Sequence, residues 1–149
     1  MIVIDASVFI DLLFEYDSER TRCAEEVLSI IEENGLTIIE PDIFKVELIG
    51  QISRRASKEK ALNICEEIFS ELAFVETAKI YDDAFSIALE TGSRASDAFY
   101  IACAIADKAI IISNDKFQAN SARRFGIEVY YLLHDLEPVS NRLLEMACK

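Results

Sequence analysis

Most of the 27 acidic residues in this chain fall on helix faces that water solvates, Glu25, Glu26, Glu32, Glu33, Glu66 and Glu67 among them. Four others sit elsewhere. Asp5 directly follows the apolar run Ile2-Val3-Ile4, and Asp115 follows Ile110-Ile111-Ile112 after only Ser113 and Asn114. Both therefore stand at the carboxyl ends of strands. Each alone could simply cap the next helix, because Asp is a favoured N-cap. Glu47 has Ile43, Phe44, Gly50 and Gln51 three and four residues away, so half of its helical surround is apolar. Its structural alternative is a partly buried acid paired with Arg54. Asp97 heads the stripe Ile101 and Ile105, where the helix dipole favours a negative charge.

Taken together, these acids point to a shared pocket. Strand ends and early helix turns on one face of an α/β fold converge. Two carboxylates ~5 Å apart repel by roughly 3 kcal/mol at an effective dielectric of about 20. Four such groups resist joint ionisation unless a positive charge sits among them. A hard divalent cation with oxygen ligands, Mg²⁺ or Mn²⁺, is the natural partner. Such an ion lowers the pKa of bound water and stabilises charge on a reacting phosphate. This chemistry needs no histidine, and the single one, His134, lies near an expected surface turn.

The elements that must position these acids can be read along the chain. Ile2–Ile4 is a short buried strand, and a helix begins near Ser7. Cys23, Val27, Ile30 and Ile31 mark a helix over about 18–34, stopped by Asn34-Gly35. Leu36–Ile39 reads as a strand. Pro41 suits the first turn of a helix running to about Ala56. Ser57 caps the next helix, with Ala61, Ile64, Cys65 and Ile68 inward. Leu72–Val75 is a third short strand, and Thr77 caps a helix that ends at Gly92. Ser93 or Ser96 opens a helix through about Lys108. Ala109–Ile112 is a buried strand, Asp115 caps a helix ending at Gly126, and Ile127–Leu132 is the last strand. Leu136–Ala147 closes the chain as a helix, with Pro138 in its first turn.

Short apolar strands alternating with helices imply a three-layer α/β/α sandwich with a mostly parallel central sheet. In such sheets ligands gather at the carboxyl ends of the strands. With 149 residues, 52% of them hydrophobic and 28% charged, the chain reads as a single globular domain, 1–149, rather than a disordered segment. The net charge of -12 argues against a protein that coats nucleic acid by charge alone. No run approaches the ~18 apolar residues of a membrane span. The N-terminus lacks the basic start of a signal peptide. Cys23, Cys65, Cys103 and Cys148 form no CxxC pair and read as buried free thiols, which fits a reducing, cytoplasmic setting.

The chain resembles the PIN-domain nucleases, especially the toxin subunits of VapBC-type toxin–antitoxin pairs. Four elements carry the resemblance, in order and over nearly the whole length. They are Ile2-Val3-Ile4-Asp5-Ala6-Ser7, then Pro41-Asp42-Ile43-Phe44-Lys45-Val46-Glu47, then Arg94-Ala95-Ser96-Asp97-Ala98, and last Ser113-Asn114-Asp115 after its strand. The resemblance implies that Asp5, Glu47, Asp97 and Asp115 form the catalytic, metal-holding pocket, with Asp5 and Asp97 the first candidates for direct ligands and Asp115 and Glu47 completing the site directly or through water. It implies that Ser7 and Ser113, and more weakly Asn114, orient the pocket or touch phosphate. It further implies Mg²⁺- or Mn²⁺-dependent hydrolysis of RNA, a homodimer and a small cognate antitoxin. One departure is that Lys116-Phe117 stands where family members often carry another acid, which bears on a second metal. Asp11 is a candidate extra acid that reads as facing solvent.

Lys45, Arg94 and Lys116 adjoin the pocket acids in sequence and could offset phosphate charge. Arg54, Arg55, Lys58 and Lys60 form a basic cluster. The competing reading is a catalytically silent PIN module acting as a binding or scaffold protein. A DxD phosphatase would need an acid at Ser7, and a receiver domain would need adjacent acids where only Asp5 stands.

Overall fold

The computed structural model describes residues 1–149, and its five strands are all parallel. In chain order the elements are β1 (Ile2–Ile4), α1 (Ala6–Leu13), α2 (Ser18–Glu33), β2 (Ile39–Pro41), α3 (Ile43–Ser53), α4 (Lys58–Ser70) and β3 (Ala73–Val75). There follow α5 (Thr77–Thr91), α6 (Ala95–Asp107), β4 (Ile110–Ser113), α7 (Lys116–Arg124), β5 (Val129–Tyr131) and α8 (Leu132–Ala147). One sheet runs β1-β4-β5, with Ile4 opposite Ile112 and Ser113 opposite Tyr131. A second pairs β2 with β3, and a single parallel bridge from Ile2 to Ile38 joins the two. The spatial order is thus β3-β2-β1-β4-β5. The chain moves outward from β1 in one direction, then returns to β1's other side at β4. Between β1 and β4 the strand order reverses, which is where open α/β sheets bind ligands.

The junction of β1 and β2 holds an unusual feature. The Ile2 N–H donates to the Thr37 carbonyl at 3.0 Å, so the ladder begins normally. Two residues later the Ile4 N–H instead donates to the Glu40 carboxylate, Oε1, at 2.7 Å. A buried side chain replaces a backbone acceptor where the two strands part. This satisfies a donor that would otherwise be orphaned in the core.

Helices cover both faces, giving the three-layer α/β/α arrangement. On one face α6 lies against β1, β2 and β4 with α5 packed on it, and on the other α1 meets α2, which packs on α8. Ala98, Ala102 and Ala104 are buried on α6 and let its backbone approach the sheet. Ile2–Ile4 and Ile110–Ile112 form the buried centre. Phe44, Leu48 and Ile52 belong to this core and are fully buried, while Phe9, Phe69 and Phe74 cluster around Phe44.

Several boundaries differ from those the sequence suggests. The strand expected over Leu36–Ile39 lies at Ile39–Pro41, because continuous pairing to β3 begins only at Ile39. Pro41 therefore ends a strand rather than starting a helix, a position its missing N–H allows. Neither Ser93 nor Ser96 caps α6. Ser93 is bonded to Thr91 and Ser96 lies inside the helix, so Arg94 holds the cap position. Likewise Glu76, not Thr77, precedes α5. The last strand is shortened by α8, which starts at Leu132 and kinks at Asp135 (φ -111°, ψ 24°). Pro138 follows that kink, so the expected proline-led turn exists inside a longer element. Cys23, Cys65 and Cys103 are buried thiols, but Cys148 is exposed because α8 has ended before it.

Candidate active site

Asp5 takes its place from the sheet. Its N–H donates to the Ile112 carbonyl at 2.9 Å, so it continues β1 by one residue, and its side chain then caps α1 by accepting from the Ser7 N–H at 3.3 Å. The Ser113 hydroxyl, from the end of β4, donates to Asp5 Oδ2 at 3.2 Å. Ser113 Oγ also accepts the Asp115 N–H at 2.9 Å, and Asp115 caps α7 through the N–H groups of Phe117 and Gln118. The cap role and the pocket role coexist, since a carboxylate has two oxygens. Ser7 Oγ accepts the Asn114 N–H at 3.1 Å, which locks the two strand-end turns together.

Asp97 comes from the opposite layer. It lies in the first turn of α6 with a side chain only 4% exposed. Arg94 grips it with two bonds, Nε to Oδ2 at 2.8 Å and Nη2 to Oδ1 at 3.2 Å. The same Nη2 reaches Asp115 Oδ2 at 2.6 Å. Glu47 approaches from α3, and its Oε2 accepts the Tyr100 hydroxyl at 3.3 Å. The alternative for Glu47, pairing with a basic residue such as Arg54, is not what its side chain does: its hydrogen-bond partner is this phenol.

The four acids therefore converge, and the charges of neighbouring acids reach Asp5, Glu47 and Asp97. Burial pushes the Asp5 carboxyl up to about 6; hydrogen bonding from Ser7 opposes this, while the charges of Asp115 and Asp97 add to it. Burial also pushes Glu47 up to about 7, with Asp5's charge adding to the shift. Asp97 is raised by burial and held back by Arg94. Arg94 is itself driven above its ordinary range, first by its bond to Asp97 and then by that to Asp115. These are carboxylates short of positive charge, and their oxygen-only donor set suits a hard divalent cation. As the side chains stand, no three of the chain's His, Cys, Asp and Glu residues are arranged to hold a metal ion. Arg94 is the cation bonded between Asp97 and Asp115.

Other residues singled out in the sequence have different tasks. The Asn114 amide donates to Asp11 Oδ2 at 2.8 Å and accepts the Leu133 N–H at 3.0 Å, so it ties the turn to α1 and α8. Asp11 does not face solvent freely. Its side chain is 13% exposed and pairs with Arg20, which also bonds the Asn114 carbonyl and the Tyr131 hydroxyl. Lys45 pairs with Asp42 and covers the Phe74 ring, and Lys116 lies over Tyr131, leaving Arg94 as the base that engages the pocket acids. In the basic cluster, Arg55 bonds the Tyr16 hydroxyl and lies over Phe14 and Tyr16. His134 is exposed beside Tyr131.

Two residues near the site went unread in the sequence. Tyr100 is fully buried, and burial beside Asp5 and Glu47 keeps its phenol protonated. Its position one turn after Asp97 was the available signal. Glu40 is also fully buried, with its carboxyl pushed far above the ordinary range by burial and with Oε2 unpartnered. It lies outside the four-acid constellation and carried no spacing signal.

Comparison with known proteins agrees with this architecture. No curated protein matches the sequence. Among solved structures, the chain is similar to PAE2754 from Pyrobaculum aerophilum (TM-score 0.64, 15% identity, 97% of this chain and 95% of that one). It is similar to VapBC2 from Rickettsia felis bound to a DNA fragment from their promoter (TM-score 0.65, 17% identity, 87% and 98%). FitAcB from Neisseria gonorrhoeae is a third (TM-score 0.60, 20% identity, 90% and 99%). At these identities the likeness is one of fold. The model of the PIN domain family matches residues 2–123, a stretch that contains all four pocket acids. The chain belongs to the PIN domain family.

Proposed function

We propose that this protein is a Mg²⁺- or Mn²⁺-dependent endoribonuclease, the toxin of a VapBC-type toxin–antitoxin pair. The observation that carries the reading is the meeting of Asp5, Asp97 and Asp115 at the β1/β4 switch point, with Glu47 joining them from α3. Asp5 and Asp97 would hold the metal directly, with Asp115 and Glu47 completing its surround. A divalent ion there supplies an activated water and charge stabilisation for the scissile phosphate.

The chain's own residues do the rest. Ser7 and Ser113 hold Asp5 and the two turns in place. Tyr100 fixes Glu47, whose carboxyl near neutral pKa is suited to take up a proton at Oε1 or Oε2. The substrate reading is RNA, the inhibitory partner a small antitoxin and the assembly a homodimer. The similarity of fold to VapBC2 and FitAcB supports the partner class. The free thiols of Cys23, Cys65 and Cys103, all buried, accord with a reducing, cytoplasmic setting.

The test is cleavage of a mixed RNA substrate with Mg²⁺, with Mn²⁺ and with chelator, beside Asp97→Asn prepared identically. Metal-dependent cleavage that the variant lacks is the expected result. A wild type that neither cuts RNA nor binds Mn²⁺ would favour the silent binding module instead.

A further inference from the structure

Arg94 stands in an unusual position for a residue so close to an acidic pocket. Its side chain is 55% exposed, yet it reaches inward to Asp97, 4% exposed, and to Asp115, 28% exposed. It contributes three charge-assisted hydrogen bonds to two carboxylates from different elements. No secondary structure holds the chain just before it. Gly92 ends α5 in the left-handed region (φ 65°), and Arg94 has extended backbone before α6 begins. The guanidinium also lies 5.5 Å from the centre of the Phe117 ring, which is itself largely exposed. A second resting place for the charge is therefore beside the first.

We propose that Arg94 is an exchangeable counter-ion, which occupies the cation position between Asp97 and Asp115 and must release them before a divalent ion binds. This rests on the nuclease reading above. Asp97 and Asp115 cannot give the same lone pairs to a guanidinium and to a metal ion. Arg94 thus stabilises the metal-free chain and lowers its affinity for metal. Once released, it stays at the pocket mouth on Phe117, where a fork of N–H donors fits a phosphodiester oxygen. The charge that blocks the metal is then the charge that meets the substrate. In this scheme Arg94 acts on the metal through the two aspartates and on the substrate phosphate directly.

The experiment is Mn²⁺ binding by calorimetry to the wild type, Arg94→Ala, Arg94→Lys and Asp97→Asn, with thermal unfolding of each metal-free protein. Arg94→Ala should bind Mn²⁺ at least about tenfold more tightly, the scale of losing competing charge-assisted bonds. Its metal-free form should melt lower than wild type, and Mn²⁺ should restore the difference. Arg94→Lys, a single point charge without the fork, should fall between the two. Lower melting without tighter Mn²⁺ binding would mean a merely structural arginine and overturn the proposal. Equal affinity in wild type and Arg94→Ala, lost in Asp97→Asn, would overturn it while leaving the metal site intact. If no protein binds Mn²⁺, the nuclease reading falls with it.

Discussion

The Tyr100 hydroxyl donates to Glu47 across 3.3 Å, and this bond links α6 to α3 inside the acidic pocket. Asp97 lies one turn before Tyr100 on α6, so one helix supplies both an acid and the donor that orients another acid. Tyr100→Phe should keep the fold, at a stability cost of about 1 kcal/mol for a lost hydrogen bond. Because Tyr100 lowers the Glu47 pKa, its removal should push Glu47 further up. The pH–rate profile for RNA cleavage should then shift to higher pH. An unshifted profile would separate Tyr100 from the chemistry.

Stability of the metal-free protein should fall as pH rises from about 4 to about 7. Asp5 and Glu47 are raised to about 6 and about 7 in the folded state. The folded chain therefore holds more protons than the unfolded one across that window, and each pH increase favours unfolding. For Asp5 alone the effect is on the order of 3 kcal/mol. Urea unfolding at several pH values checks it. Mn²⁺ should flatten the dependence, since a cation replaces the protons. Activity should run the opposite way and increase through the same window.

Asp5→Asn should separate stability from function. The amide removes a buried charge while keeping an acceptor for Ser7 and Ser113. Metal-free stability at neutral pH should rise or hold, whereas cleavage and Mn²⁺ affinity should drop by roughly 100-fold or more, the upper end for disturbed metal sites. A destabilised but active variant would contradict the assignment.

Glu40 offers a control outside the constellation. Burial pushes its carboxyl well above the ordinary carboxylate range, and Oε1 serves the Ile4 N–H. Glu40→Gln retains that acceptor and should change stability by less than about 1 kcal/mol. Glu40→Leu orphans the Ile4 N–H and should cost about 1–3 kcal/mol. Denaturant midpoints of the two variants distinguish these outcomes.

Strand-end acids and helix-start acids were legible because their roles depend on local position. Ile2-Val3-Ile4-Asp5 and the triple isoleucine before Ser113 announce buried parallel strands, and an acid at the end of each reaches the same sheet edge. The alternation of strands and helices sufficed for the α/β/α class. The precise limits of β2 and α8 were not legible, since pairing to β3 and the kink at Asp135 depend on distant partners. Asp11 read as solvated because nothing nearby in sequence reveals Arg20 and Asn114 folding onto it.

The amino-acid order by itself thus determined which acids lie at the carboxyl ends of strands and the starts of helices. That information is carried by periodicity and caps, which act within a few residues. Only the tertiary structure decided the charge balance among them. Burial raised Asp5 and Glu47, Tyr100 reached Glu47 from 53 positions away, and Arg94, holding Asp97, reached Asp115 from 21 positions away. Electrostatic interactions depend on distance through space and on exclusion of water, and neither is written in the spacing of residues along a chain.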